Sequence, residues 1–394
     1  MKIISINAGS SSLKFSLFEM DDESIIASGL FERIGIDGSC YTIKYNGQKI
    51  SEEVELNNHT DAVNILLEKL TALEIIKSLD EIKGVGHRIV HGGSKYSKSV
   101  FINDQVIEDI GTFKEFAPLH NPAHLLGINA FREVLPDVPM VAVFDTAFHQ
   151  SMDAVSYMYP VPYNWYKDYN VRKYGAHGTS HRYIAEEVKD ILGREDFKLI
   201  SCHIGNGGSI CAIDNMKCVD TSMGFTPLAG IMMGTRSGDI DSSIIPYVME
   251  KEGKNVGEIL DDLNKVSGVY GLSEFSSDMR DIVSKCEEGD EKCILAKDKY
   301  VRRVVDYIAQ YYVLLEGCDI IVFTAGVGEN NSYIRKEICE KLAPLGVKIN
   351  TEENEKRGEL IKLSTNDSKI LVYVIPTNEE LMIAKDTLYL IKNR

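Results

Sequence analysis

The chain has 394 residues, 44% hydrophobic and 26% charged, with a formal net charge of -16. That length suits two domains, and so acidic a chain repels nucleic acid and anionic membranes, so neither is an expected partner. With no basic-then-apolar start, no run long enough to span a bilayer and eight cysteines without a CxxC pair, the expectation is a reduced cytoplasmic protein without a leader.

Ile3-Ile4-Ser5-Ile6 reads as a short apolar strand, followed by a small polar turn over residues 7–12 and a return strand over 14–18. Strands are also expected at 25–27 and 41–45. Residues 60–76 place Ala62, Ile65, Leu66, Leu70 and Leu73 on one helical face. An apolar strand ends at Arg88-Ile89-Val90, just before His91-Gly92-Gly93. Asn121-Pro122 starts a helix, with Pro where a helix tolerates it. Residues 140–144 form a buried-strand run closing on Asp145. The Tyr- and Pro-rich stretch 157–173 is weakly periodic, and the domain boundary is expected near its start. Beyond it, 199–213 and 320–324 read as strands. Helices are expected from Leu260 onward and over 297–315 and 332–342, then a strand at 371–375 and a closing helix over 379–391. A strand-rich opening followed by alternating elements occurs twice, which argues a duplicated α/β architecture.

The same short phrase is also written twice: Asn7-Ala8-Gly9-Ser10-Ser11-Ser12 in the first half and Gly205-Asn206-Gly207-Gly208-Ser209 in the second. Each joins two strands, and such a hairpin tip offers backbone N–H groups and hydroxyls that can approach phosphate closely. A third Gly-bearing turn, Ala325-Gly326-Val327-Gly328-Glu329-Asn330, follows an apolar strand and is read as preceding a helix. No P-loop signature is present, no GxGxxG follows the first strand, and no HRD or DFG appears, so P-loop, Rossmann and protein-kinase readings fail.

Arg236 lies between Thr235 and Ser237 in a Gly-rich loop, a setting that suits bidentate phosphate contact. Arg88 ends a buried strand and wants a carboxylate or phosphate; an internal salt bridge is the structural alternative. Asp145 closes a buried strand, a usual address of an α/β active-site carboxylate. Glu379 and Glu380 open the last helix, where carboxylates favour the helix dipole and one can also face a metal. His87/His91, His120/His124 and His177/His181 have i,i+4 spacing, but no HExxH occurs and Gly178-Thr179 disfavours a helix between the last two. Hydrogen-bonded core histidines are therefore expected, with His177 a donor to a charged oxygen.

These segments, together with Gly86–Gly93, 144–149, 177–181 and 233–241, resemble the acetokinase family within the sugar kinase, actin and chaperone ATPase superfamily. The likeness spans essentially the whole chain. It implies a duplicated actin-like (ribonuclease H-like) α/β fold with an active-site cleft between two domains: 1–150 plus 381–394, and 151–380. It implies Mg2+-dependent (Mn2+ as a substitute) transfer of phosphate from ATP to acetate or another short-chain carboxylate, giving acetyl phosphate and ADP, by a cytoplasmic homodimer. Carried over, Arg88 holds the carboxylate. Asp145, His177 and Arg236 are catalytic, with Asp145 orienting magnesium or Arg236. Asn7 and Glu379 lie at the metal. Val90, Leu119, His120, Ala176 and Pro227 wall the acyl pocket. Ser10, Ser12, Lys14, His203, Ile204, Gly205, Asn206, Gly207, Asp278, Met279, Arg280, Gly326, Val327, Gly328, Glu329 and Asn330 meet ATP. The sequence departs from the family pattern at Ala176 and Met279, where Phe is usual. Loss of an aromatic wall at 176 opens a propionate or butyrate alternative. A non-catalytic ATP-binding switch on the same fold is the other alternative, but it needs no carboxylate clamp.

Overall fold

In the computed structural model, which describes residues 1–117 and 120–394, the opening apolar run forms strand β1 (Lys2–Gly9). It turns back at Ser10-Ser11 into β2 (Ser12–Glu19). The meander continues through β3 (Ser24–Glu32), β4 (Cys40–Tyr45) and β5 (Gln48–Glu53). On the other side of β1, β6 (Ile82–Ile89) and then β8 (Met140–Phe144) join in parallel, and the two-residue β7 (Val100–Phe101) closes the edge antiparallel. The sheet order is β5-β4-β3-β2-β1-β6-β8-β7.

These strands belong to a unit made of Met1–Phe148 and Asn378–Arg394. One face of the sheet packs on the helices His59–Ala72 and Asn121–Val134, where Leu66, Leu70 and Phe131 meet Ile4, Ile6 and Val85. The other face carries the last helix, Glu379–Lys392, with Ile383 against Val141 and Val143. Gly84 and Gly86 make that packing possible. A Cβ at Gly86 would stand 2.4 Å from Thr387 Oγ1 and 2.5 Å from Ile383 Cγ2, so only a bare backbone lets the helix come this close.

The second unit, His149–Thr377, repeats the arrangement. Strands β9 (Lys198–Ile204), β10 (Gly208–Asp214) and β11 (Lys217–Thr221) form an antiparallel meander. Then β12 (Ile320–Thr324) and β14 (Leu371–Val374) add in parallel to β9, and β13 (Ile361–Lys362) closes the edge. The order β11-β10-β9-β12-β14-β13 matches β3-β2-β1-β6-β8-β7 of the first sheet strand for strand. This mixed α/β duplication is the fold class expected from the sequence. The long helix Glu291–Leu314 covers the second sheet with Tyr300, Val304, Ile308 and Tyr311 in its core.

Some elements differ from expectation. The first helix ends at Ala72, short of residue 76, because the Leu73 N–H turns back to Lys69 O and Glu74 takes a left-handed φ of 54°. Residues 325–330 form a short helix, not a turn. A helix starts at Gly178 despite the glycine, with His177 just outside it at φ 57°.

Candidate active site

In the first unit, three expected residues gather at the exits of β6 and β8. The strands are parallel neighbours, with Arg88 level with Val143 and the Asp145 N–H bonded to Ile89 O. That register sets Arg88 Nε and Nη2 at 3.0 and 2.7 Å from a single oxygen, Asp145 Oδ2. The Asp145 side chain is 1% exposed, whereas that of Arg88 keeps 22%. Burial would weaken the Arg88 charge, but Asp145 and Glu379 outweigh it and hold the guanidinium firmly protonated. Asp145 thus has Arg88 as a partner through both of these bonds.

Glu379 opens the last helix behind its N-cap Asn378. Burial pushes its carboxyl up to about 7 against the pull of Arg88, and the charges of Asp145 and Glu380 add to the push. Asn7 is half-buried near the end of β1. Lys14 forms an ion pair with Glu380. At the β1–β2 tip, His59 Nε2 lies 2.8 Å from Gly9 O, with Ser10 exposed and Ser12 half-buried beside it. Val90 is buried and His120 exposed; Leu119 lies outside the described residues. His87 and His124 are core histidines: burial lowers both to about 3, so both are neutral, but His87 Nε2 lacks the hydrogen-bond partner expected of it among the described residues.

In the second unit the β9–β10 hairpin tip is the centre. Gly205 N bonds Gly207 O at 3.0 Å, and Gly234 N bonds Asn206 O at 2.9 Å. A Cβ on Gly234 would fall 1.9 Å from Asn206 Oδ1, so glycine lets the Arg236 loop touch the tip. Arg236 Nη1 reaches Pro227 O at 3.2 Å. Among the described residues no carboxylate pairs with this guanidinium, and burial lowers its pKa. A Cβ at Gly207 would lie 3.5 Å from Arg236 Nη1 and 3.9 Å from His177 Nε2. Arg236, His177 and the hairpin tip therefore converge on one spot.

His177 is held from behind. Its ring stacks on His203 at 4.1 Å between centroids, and its Nδ1 lies 2.9 Å from Ser209 Oγ. The same hydroxyl lies 2.8 Å from His181 Nε2, and His181 Nδ1 lies 2.9 Å from Ser201 Oγ. Burial, with His149 and His203 nearby, keeps the His181 pKa well below its ordinary value, so that ring is neutral with one N–H. Ser209 has one proton to give, so it couples the tautomers of the two rings.

Beside the tip lies a cavity of about 430 Å³ lined by Gly205, Asn206, Asp278, Met279, Arg280, Gly326, Val327 and Asn330, all expected at the nucleotide. Gly234, Val269, Ser277, Tyr300 and Asn331 complete the lining and were not foreseen. Around Gly326 a Cβ would meet nothing within 4 Å, so the backbone there borders open space. Asp278 caps the helix Met279–Glu287, accepting from the Arg280 N–H at 2.9 Å. Ile204, Gly328 and Glu329 are among the expected nucleotide residues that do not line this cavity. Ile204 and Gly328 are core residues. The Glu329 carboxylate accepts from the Ala325 and Thr377 N–H groups at 2.7 and 3.1 Å, fixing the short helix. Arg335, fully buried, donates to Gly328 O and Glu329 O at 3.0 and 2.8 Å and clamps the same helix; nothing local in the sequence announces it. Ala176 is 5% exposed, and its carbonyl accepts from His149 Nε2 at 2.9 Å.

The raised carboxyl of Glu379 has a pH signature. An unfolded chain releases that proton near 4.5 and the folded one near 7. Its contribution to stability is therefore fully present below about pH 4.5 and lost as pH rises through 7. Urea unfolding of the metal-free protein and of Glu379→Gln at pH 5 and pH 8 should show the parent losing more stability than the variant across that interval. Parallel losses would return Glu379 to an ordinary carboxyl pKa.

The family model described as the acetokinase family matches residues 2–385. The acetate kinase of Bacillus cytotoxicus is 54% identical over 391 residues, 99% of this chain and 98% of that one. The crystal structure of Porphyromonas gingivalis acetate kinase superposes with a TM-score of 0.95 at 42% identity, covering 99% of each chain. A propionate kinase from Francisella tularensis gives 0.93 at 41% identity, covering 98% of this chain and 99% of its own. With that match along its length, and with the motifs standing at the strand exits described, the chain belongs to the acetokinase family.

Proposed function

We propose that the chain is an acetate kinase that transfers the terminal phosphoryl group of ATP directly and reversibly to acetate, giving acetyl phosphate and ADP. The observation that carries this reading is the convergence of His177 and a half-buried Arg236, which has no carboxylate partner among the described residues, at a Gly-rich tip beside the nucleotide-sized cavity. A desolvated guanidinium without a carboxylate is costly unless an anion completes it. The cavity suits a nucleoside triphosphate as substrate, its phosphates running toward the Gly205–Gly207 tip.

Acetate is already ionised near neutral pH, so the reaction needs no general base. The task is to hold two anions in line and neutralise the charge on the group in transit. Arg88 would grip the carboxylate, its direction set by the two hydrogen bonds it donates to Asp145 Oδ2. Asp145 acts through Arg88 as a positioning group. Arg236 and His177 would donate to the equatorial oxygens of the phosphoryl group, where fixed donors act most strongly.

The hard oxygen donors Asn7 and Glu379 suit magnesium, with manganese as a substitute, and a carboxyl raised to about 7 is one that a divalent cation would ionise. Bound with the phosphates, the cation would screen the repulsion between nucleotide and acid. The expected setting is the cytoplasm, as a homodimer. All eight cysteines are free, and the exposed Tyr163, Trp165 and Tyr169 offer surface that a second copy could cover.

A second reading keeps propionate as the preferred acid, because alanine stands at 176. The near-complete burial of Ala176 favours acetate, since its methyl borders packed protein. Each methylene accepted or refused is worth about 1–3 kcal/mol.

With magnesium–ATP and hydroxamate trapping of the acyl phosphate, acetate should give the highest kcat/KM and butyrate the lowest. A flat series would transfer the reading to a broad short-chain carboxylate kinase, and no hydroxamate from any of the three would remove the kinase reading. Arg236→Ala should lower kcat by about 10³-fold or more with far less change in KM; an unchanged kcat would take Arg236 out of the reaction. Ser209→Ala, which releases His177 Nδ1, should cost kcat about 10–100-fold, by analogy with other residues that orient a functional imidazole, and leave KM for ATP nearly constant. A kcat equal to the parent's would mean that the bond to Ser209 is not needed to orient the ring.

A further inference from the structure

A separate cluster lies on the far strands of the second sheet. Cys211 on β10 and Cys218 on β11 belong to an antiparallel pair whose register shifts between Ala212 and Ile213. The two thiols meet with Sγ atoms 3.5 Å apart. His149 Nδ1 stands 3.2 Å from Cys218 Sγ. The three potential ligand atoms all lie within 4.8 Å of one another, and the three residues are at most 1% exposed.

The orientation of His149 is the informative detail. Its Nε2 lies 2.9 Å from the carbonyl oxygen of Ala176. A carbonyl can only accept, so Nε2 carries the proton and Nδ1 turns its lone pair toward the sulfurs. A backbone carbonyl that fixes the tautomer from behind is the usual outer support of a metal-bound imidazole. Two thiolates and one imidazole form a soft donor set that selects Cu+ and Zn2+ over magnesium or calcium. With metal–sulfur bonds of about 2.3 Å and metal–nitrogen bonds of about 2.0–2.1 Å, a planar three-coordinate ion needs its ligand atoms about 3.8–4.0 Å apart. The Sγ–Sγ distance and the distance from His149 Nδ1 to Cys218 Sγ reach that spacing by opening roughly half an ångström.

We propose that His149, Cys211 and Cys218 form a three-coordinate binding site for a thiophilic cation, Cu+ or Zn2+. Binding replaces the two thiol protons, which leave to solvent, with two metal–sulfur bonds, and a third bond forms to Nδ1; no electron is transferred. The bound ion would tie the β10–β11 hairpin to Ala176, immediately before His177. This site is separate from the magnesium-binding residues and does not depend on the kinase reading.

The test uses the full chain, reduced and freed of metal, titrated with Zn2+ and, without oxygen, with Cu+. The parent should retain one equivalent of at least one of these ions after desalting and gain thermal stability with it. X-ray absorption should give two sulfurs and one nitrogen around the ion. Cys211→Ser/Cys218→Ser should lose that equivalent and the stability gain, while the other six cysteines remain as an internal control. Cys211→Ala/Cys218→Ala serves as a second variant should the serines unfold the core, which circular dichroism would report. Equal metal retention by the parent and a folded double variant would overturn the site, and so would failure of the parent to retain either ion.

Discussion

A half-buried guanidinium without a carboxylate partner among the described residues is the constraint around which the second unit is built. Arg236 could relieve its own desolvation by turning toward solvent, and the local backbone prevents it. Gly268 adopts a φ of 63°, and a Cβ there would strike Met233 O at 2.2 Å and Arg236 O at 2.7 Å. Gly238, at φ 69°, is pressed as closely on Gly230 O and Ile231 O, 2.6 Å from each. Glycines thus wedge the loop from both sides and hold the charge where folding alone would not leave it. Arg88 is the opposite case: its carboxylate is built in, through the parallel register of β6 and β8. One arginine is neutralised and oriented in advance, and the other is left to be completed by an anion.

The duplicated topology explains why the chemistry sits at strand exits. In each sheet the central strand turns directly into a tight hairpin, and the parallel strands beside it end at a similar level. Side chains just past those ends are fixed by the sheet yet free of its ladder of hydrogen bonds. Asp145 and the Gly205–Gly207 tip use that position, and Arg88 stands one residue short of the end of β6.

How much of this is legible in the sequence depends on the range of the interaction. The runs Met140–Phe144 and Ile320–Thr324 are strands with the bounds that their apolar composition announces, because a strand buried on both faces writes itself as a continuous apolar run. The pairing of Arg88 with a carboxylate or phosphate is legible as a need, but the choice of Asp145 is not, since it follows from which strands become neighbours. The link from His177 through Ser209 to His181 is invisible because its members sit on a helix start, a strand and a helix turn. The helix at 325–330 escapes notice for a similar reason: two glycines argue against it locally, and the buried Arg335 and the Glu329 cap stabilise it from a distance. The helix Ile244–Glu252 also goes unread: its apolar residues cluster at its start around Pro246, and none of its residues is buried.

The helix Glu379–Lys392 has a consequence for how the protein is made. It lies directly on Gly84 and Gly86, two positions with no side chains of their own to cover the strand. During synthesis the first sheet emerges early, but the element that shields this face emerges only after residues 149–377 have left the ribosome. The second unit is continuous in the chain and can complete itself as it appears, whereas the first must wait with an apolar face uncovered. The two halves therefore share a topology but not a folding schedule, and the earlier-made half is the later to finish.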